Sequence, residues 1–82
     1  MKIRFLFFAV LRNAAKTGEL ELDCNGTTVA DALARLQDAI PALVPYLCRV
    51  QVAVNEEYRD RLSLLKEGDT VALIPPVSGG GA

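Results

Sequence analysis

The chain has 82 residues, 51% of them apolar, and nine basic against ten acidic side chains leave a formal net charge of −1. This length allows one domain at most, the charge argues against a nucleic-acid surface, and no apolar run approaches the roughly 18 residues of a membrane span. With no histidine and only two cysteines, a zinc site is disfavoured and a Ser-His or Cys-His catalytic pair is excluded.

The first segment, Lys2 to Phe8, alternates with a period of two and predicts a β-strand. One face carries Ile3, Phe5 and Phe7, and the other carries Lys2, Arg4, Leu6 and Phe8. Leu6 and Phe8 do not fit a solvated face. Because Arg4 interrupts the apolar stretch and no cleavage site follows, we interpret the segment as a strand of a cytoplasmic protein rather than a signal peptide.

A loop is predicted from Asn13 to Gly18. The segment "ELELDC" then alternates acidic residues with Leu20, Leu22 and Cys24, which predicts a second strand and a hairpin with the first. Cys24 is expected to be a buried thiol and Cys48 a partly buried one. A catalytic or sulfur-carrying cysteine is the alternative.

The main helix is predicted in "NGTTVADALARLQDAI". Asn25 and Gly26 suggest a turn, Thr28 is a good N-cap, and Asp31 completes a weak capping-box pattern. An apolar stripe at helical spacing predicts a buried face; it consists of Val29, Ala32, Leu33, Leu36 and Ile40. Pro41 ends the helix, because proline cannot continue the hydrogen-bond ladder.

The remaining segments predict an irregular connection in "PALVPYL", a strand in "RVQVAVN" and a final strand in "TVALI" that Pro75 ends. The third strand should place Val50, Val52 and Val54 on one face. A short strand near Tyr58 is possible after the turn-like "NEEY". We expect Leu62, Leu64 and Leu65 to pack locally beneath a loop, and Gly68 to supply the positive φ of the turn "KEGD".

This element order predicts an α+β fold of the β-grasp type over residues 1–76. A mixed sheet of four to five strands would be covered on one face by one main helix. The first and last strands are apolar on both faces, so both should be central. Order and pattern also permit a ferredoxin-like fragment, although the missing second helix disfavours it.

A flexible Gly-rich tail is predicted over residues 77–82. Pro75 and Pro76 favour an extended polyproline exit from the sheet, and six further residues can reach roughly 20 Å. Glycine can enter a slot too narrow for a side chain. Such a tail suits delivery of a C-terminal carboxylate to another protein's active site, although a frayed chain end is the alternative.

The chain resembles the small subunit of molybdopterin synthase, a ubiquitin-like sulfur carrier with the β-grasp fold. The residues that carry this resemblance are "PPVSGG" at Pro75–Gly80, "KIRFLFFAVLR" at the start, and "AVN" and "LKEGDTVALIPP" between them. The resemblance covers essentially the whole chain.

The resemblance implies a carrier that is not an enzyme by itself. An activating enzyme of the ubiquitin type, using ATP and Mg, would adenylate the terminal glycine, which matches Gly80 and is preceded by Gly79. A persulfide enzyme would supply sulfur, leaving a thiocarboxylate. In a heterotetramer with the large synthase subunit, that sulfur would pass to a cyclic pyranopterin phosphate during molybdenum cofactor biosynthesis. The chain itself is expected to bind no cofactor or metal.

The expected partner-binding residues are Leu6, Phe8, Arg12, Ile74, Pro75, Pro76, Val77 and Ser78. An apolar cluster of Leu6, Phe8 and Ile74 on the face opposite the helix is typical of a partner surface, whereas a second small core covered by loops is the alternative. The resemblance places Arg12 near that surface, where it would pair with an acidic group. An ordinary solvated arginine is equally compatible with the sequence.

Other functions stay open at this point. They are a carrier for thiamine, cysteine or transfer-RNA thiolation, a ubiquitin-like modifier of lysines, and a plain interaction domain. The chain also continues past the family pattern with Gly81 and Ala82. These two residues are expected to be removed by a protease or to be foreign to the natural chain; use of Ala82 itself is the third alternative.

Overall fold

The computed structural model describes residues 1–25 and 28–76. The predicted tail, with Val77, Ser78, Gly79 and Gly80, lies outside these residues, and so does Gly26 of the predicted turn. The strands are β1 (Lys2–Phe7), β2 (Glu19–Asp23), β3 (Gln51–Val54), β4 (Glu57–Arg59) and β5 (Thr70–Ile74). The helices are α1 (Val10–Ala15), α2 (Val29–Ala39) and α3 (Val44–Leu47), with a 3₁₀ turn at Pro41–Leu43 before α3.

The five strands form one mixed sheet in the order β2-β1-β5-β3-β4. β1 and β5 are parallel, and the other neighbouring pairs are antiparallel. The first and last strands therefore lie side by side within the sheet, as predicted from their two apolar faces. The possible strand near Tyr58 is confirmed as the edge strand β4.

Helix α2 packs its apolar stripe on one face of the sheet. The Thr28 hydroxyl accepts a hydrogen bond from the Asp31 backbone N–H at 3.2 Å, and the Asp31 carboxylate accepts one from the Thr28 N–H at 3.2 Å. The predicted capping box is thus formed. The core beneath α2 consists mainly of Ile3, Phe5, Phe7, Val29, Ala32, Leu33, Leu36, Val52, Val54, Val71 and Leu73.

Two short helices replace segments that the sequence analysis left irregular. α1 occupies part of the loop predicted at Asn13–Gly18, and α3 lies within "PALVPYL". Leu11 is fully buried, as is Leu43 just before α3. With one or two buried anchors each, these helices are too short to produce a periodic pattern.

The turn before α1 is strained. Ala9 has φ 51° and ψ −127°, a conformation that favours glycine and costs a residue with a Cβ atom on the order of 1–3 kcal/mol. The Ala9 carbonyl accepts a hydrogen bond from the Arg12 N–H at 3.0 Å. This turn directs the chain away from the sheet immediately after Phe8.

The prediction for the leucines of the 60–65 loop was only partly right. Leu65 is buried, but Leu62 and Leu64 are 80% and 72% exposed. The loop carbonyls of Arg61 and Ser63 accept hydrogen bonds from the first N–H groups of α2, so the loop backbone is held against the helix while these two side chains point outward. Cys24 is buried as predicted, whereas Cys48 is exposed rather than partly buried.

A buried carboxylate joins the turn between β3 and β4 to the start of β5. Asn55 and Glu56 both have positive φ, which is the geometry of a two-residue hairpin turn. The Asn55 side-chain amide donates to Asp69 Oδ1 at 2.9 Å, and its oxygen accepts from the Thr70 N–H at 3.0 Å. Asp69 Oδ2 accepts from the Lys66 N–H at 2.7 Å, and Gly68 has the predicted positive φ.

Burial by itself would raise the pKa of Asp69, but the hydrogen bonds from Asn55 and Lys66 outweigh it and hold the pKa below its ordinary value. A carboxylate with a lowered folded-state pKa contributes stability that is present at neutral pH and is lost as the pH falls below about 4. We predict that Asp69→Asn removes part of this acid sensitivity. The substitution should also lower the free energy of unfolding at pH 7 by about 1–3 kcal/mol, because the new amide N–H₂ would face the N–H donors of Asn55 or Lys66.

Urea unfolding at pH 7 and pH 3 measures both effects. Asp38→Asn, which changes an exposed carboxylate on α2, is the matched control and should leave both values unchanged. Equal pH dependence in the native protein and Asp69→Asn would show that the Asp69 contacts do not have this role.

Candidate functional site

The sheet face opposite α2 is apolar and uncovered by the described residues. We define this open face by Leu6, Phe8, Ala53, Tyr58, Ala72 and Ile74, which line one groove. The strand register pairs Leu6 with Ala72, Ala72 with Ala53, and Ala53 with Tyr58. Since directly paired residues point to the same face, these four side chains form a row across β1, β5, β3 and β4.

The groove on the open face has small side chains in its middle and large ones at its sides. Ala72 and Ala53 are small, whereas Phe8 and Tyr58 stand at the margins and are 46% and 68% exposed. These exposures do not fit a second core covered by loops. An exposed apolar groove of this kind is typical of a surface that binds another protein.

The C-terminal segment starts at the edge of this groove. β1 and β5 run parallel with Phe7 opposite Leu73, so β1 ends at Phe7 and β5 ends at Ile74 at the same end of the sheet. Pro75 is half-buried and Pro76 is exposed. Proline offers no backbone N–H for a further ladder, so β5 ends here beside the open face.

Arg12 lies at the border of the open face. A Cβ atom placed on Gly18 would lie 3.5 Å from Arg12 Nε, so the arginine side chain packs over this glycine. It lines a groove together with Leu6, Phe8 and Glu19. The structure therefore brings together Leu6, Phe8, Arg12, Ile74, Pro75 and Pro76; the predicted site residues 77–80 lie outside the described residues.

A second groove at the same end of the sheet was missed by the sequence analysis. It is lined by Val10, Pro45, Tyr46, Cys48, Arg49, Val50, Pro75 and Pro76. Arg49 is the first residue of the predicted strand "RVQVAVN" and shows no pattern that separates it from a solvated charge. Only the fold reveals that it lies next to Pro75 and Pro76, which we call the tail root.

The two cysteines occupy different environments. Burial raises the pKa of the Cys24 thiol, which disfavours a reactive thiolate, while Cys48 is exposed in the second groove. Within residues 1–25 and 28–76, no cluster of three or more Cys, Asp or Glu side chains could hold a metal ion. In the same part of the chain, none of the helices has the length and apolarity needed to span a bilayer.

A family described as the ThiS family matches residues 5–80. The chain belongs to this family. The molybdopterin synthase sulfur carrier subunit of Mycobacterium tuberculosis is 38% identical to it over 82 residues, with 98% of this chain and 99% of that protein covered. The resemblance noted from the sequence motifs is thereby confirmed.

Solved structures support the same assignment. The crystal structure of SAMP1, the small archaeal modifier protein 1 of Haloferax volcanii, matches with a TM-score of 0.89 and 32% identity over 98% of this chain and 100% of that one. A chain from the Helicobacter pylori complex of subunits 1 and 2 of molybdopterin-converting factor also matches. Its TM-score is 0.73 and its identity 28%, with 98% of this chain and 100% of that one covered. The ubiquitin-like β-grasp prediction is confirmed.

Two phenylalanines of the same segment provide a direct test of the face assignment. We predict that Phe8→Ala changes the free energy of unfolding by no more than about 1 kcal/mol, because half of this side chain is already in water. Phe5→Ala, which empties a fully buried position, should cost about 3–5 kcal/mol. Urea unfolding of both variants measures the difference, and equal losses would place Phe8 in the core.

Proposed function

We propose that the chain is the sulfur carrier subunit of a molybdopterin synthase and works in the cytoplasm. The observation that carries this proposal is the position of the tail root. Pro75 and Pro76 leave a central strand beside an exposed apolar groove, in a chain that is similar over nearly its full length to sulfur carrier subunits. The open face would bind a partner while the tail enters that partner's active site.

The proposed reactive group is the carboxyl group of Gly80. A carboxylate is a poor electrophile, so an activating enzyme would first convert it to an acyl-adenylate, using its own ATP and Mg. The terminal sulfur of a persulfide enzyme would then attack the acyl carbon and displace AMP, and a thiol would reduce the resulting acyl disulfide to leave a thiocarboxylate. The large synthase subunit would transfer this sulfur to a cyclic pyranopterin phosphate.

In this proposal the chain supplies binding and reach rather than acid-base chemistry. It has no histidine, and we propose that it binds neither ATP nor a metal itself. Both the activating enzyme and the large subunit must receive the same tail, which starts at the edge of one open face. The two partners should therefore compete for the carrier and bind it in turn.

We predict that Phe8→Asp weakens binding to the large subunit while the domain stays folded. The substitution places a charge on the groove wall, and loss of an aromatic anchor costs about 2 kcal/mol or more, roughly 30-fold in affinity. Calorimetric titration of the large subunit measures this. Glu57→Gln, at an exposed position of β4, is the control. Unchanged affinity of Phe8→Asp would show that the open face is not part of the interface.

The identity of the reactive terminus can be tested by comparing chains that end at Gly80 and at Ala82. We predict efficient adenylation of the shorter chain and poor adenylation of the longer one, in which the Gly80 carbonyl is part of a peptide bond. Two extra residues extend the tail by roughly 7 Å, and a displacement of about 1 Å can cost around a hundredfold in rate. Pyrophosphate exchange with the cognate activating enzyme measures the rates.

Three controls accompany that assay. The carrier with ATP but without the activating enzyme should release no pyrophosphate. A Cys24→Ala, Cys48→Ala double variant that folds should still gain a C-terminal thiocarboxylate, because neither thiol carries the sulfur. Equal rates for the two chain lengths, with the longer chain untrimmed by mass spectrometry, would show that Gly80 is not the reactive terminus.

The similarity to SAMP1 supports a second candidate, a ubiquitin-like protein modifier, because SAMP1 is a small archaeal modifier protein. The two functions share the activated C-terminus and differ in its acceptor. Mass spectrometry of the protein from its native cells separates them. Replacement of a terminal oxygen by sulfur indicates a carrier, whereas an isopeptide-linked lysine indicates a modifier.

A further inference from the structure

Arg12 and Arg49 differ from the other arginines of the chain. Four of the six arginines have acceptors: Arg4 with Glu19 at 3.4 Å, Arg35 with the Asp23 carbonyl at 3.1 Å, Arg59 with Glu57 at 2.6 Å, and Arg61 with the Leu47 carbonyl at 2.6 Å. Within residues 1–25 and 28–76, the side chains of Arg12 and Arg49 have neither an ion pair nor a hydrogen bond.

These two arginines lie on opposite sides of the tail root. Arg12 is in α1, directly after β1, and Arg49 lies two residues before β3. β1 and β3 are the two neighbours of β5 in the sheet. At the end of the sheet where Pro75 leaves β5, the order is therefore Arg12, tail root, Arg49.

The surroundings of Arg49 are those of a contact surface. Its groove is lined by the half-exposed Val10, by Tyr46 and by both prolines of the tail root. A protein that takes in the tail must pass these residues and cover them. A guanidinium that loses water there needs an acceptor, and the planar fork of arginine matches a carboxylate.

We propose that Arg49 is a specificity-determining residue of the tail-receiving interface. Its guanidinium binds a carboxylate at the rim of the partner's tail channel, on the side of the tail opposite the acidic group that Arg12 meets. This inference rests on the proposed function, since it requires a partner that receives the tail. Two charged contacts on opposite sides fix the rotation of the carrier about the tail and so align the terminal carbonyl.

The test uses the full chain and the large synthase subunit of the same organism in calorimetric titrations. Arg49→Glu and Arg49→Gln are compared with Lys2→Glu, which makes the same charge reversal at the opposite end of β1. We expect Arg49→Glu to lower affinity by about tenfold or more and Arg49→Gln by less. The affinity of Lys2→Glu should stay within about twofold of that of the native chain. The whole length of β1 separates Lys2 from the tail root, and salt screens exposed charges over that separation.

Two further measurements separate a direct ion pair from other causes. The loss for Arg49→Glu should shrink as salt rises from about 0.1 M to 1 M, where the Debye length falls to about 3 Å. The losses for Arg12→Glu and Arg49→Glu should multiply in the double variant, because they concern separate carboxylates. Urea unfolding must show unchanged stability for each variant used, and Arg49→Gln provides the comparison if Arg49→Glu is destabilised.

Three results would contradict the inference. Equal affinities of Arg49→Glu, Lys2→Glu and the native chain would show that Arg49 stays in solvent. Tighter binding by Arg49→Glu would show that the partner presents no carboxylate to this side chain. Native chain that fails to bind the large subunit would contradict the proposed function itself, and the inference with it.

Discussion

The parallel pairing of β1 with β5 is the constraint on which the rest of this structure depends. It places the first and last strands next to each other and sends both out of the sheet at the same end, with Phe7 opposite Leu73. The exposed Phe8 and the proline exit at Pro75 become neighbours for that reason. An antiparallel arrangement of these strands would place the start of the tail at the far end from Phe8.

The two faces of the sheet have separate tasks because one helix can cover only one of them. α2 and its capping box close the side that contains the core, while Ala53 and Ala72 leave a low groove on the other. The buried Asp69 carboxylate holds the hairpin turn at Asn55 against the start of β5. These contacts tie the β3–β4 turn to β5 beneath the groove, and backbone strain at Ala9 occurs where the chain turns away beside it.

Sequence reasoning succeeded where a pattern repeats over many residues or where one residue type has a specific backbone role. The stripe of α2, the alternation of β1 and β2, the Thr28 cap and the turn at Gly68 are of this kind. It failed for α1 and α3, whose helical turns depend on one or two buried leucines, and for Leu62 and Leu64. For these two, hydrophobicity indicated burial, but loop hydrogen bonds to the first turn of α2 turn the side chains outward.

By itself, the sequence determined the alternation of β1 and β2, the apolar stripe and N-cap of α2, and the proline stop that follows Ile74. It also carried motifs specific enough to indicate the family. Tertiary structure alone decided that Arg12 and Arg49 lie on the two sides of the tail root and that Cys48 is exposed. The physical reason is that these positions depend on pairing between strands far apart in the chain, and a charged or polar side chain outside a periodic pattern contains no record of that pairing.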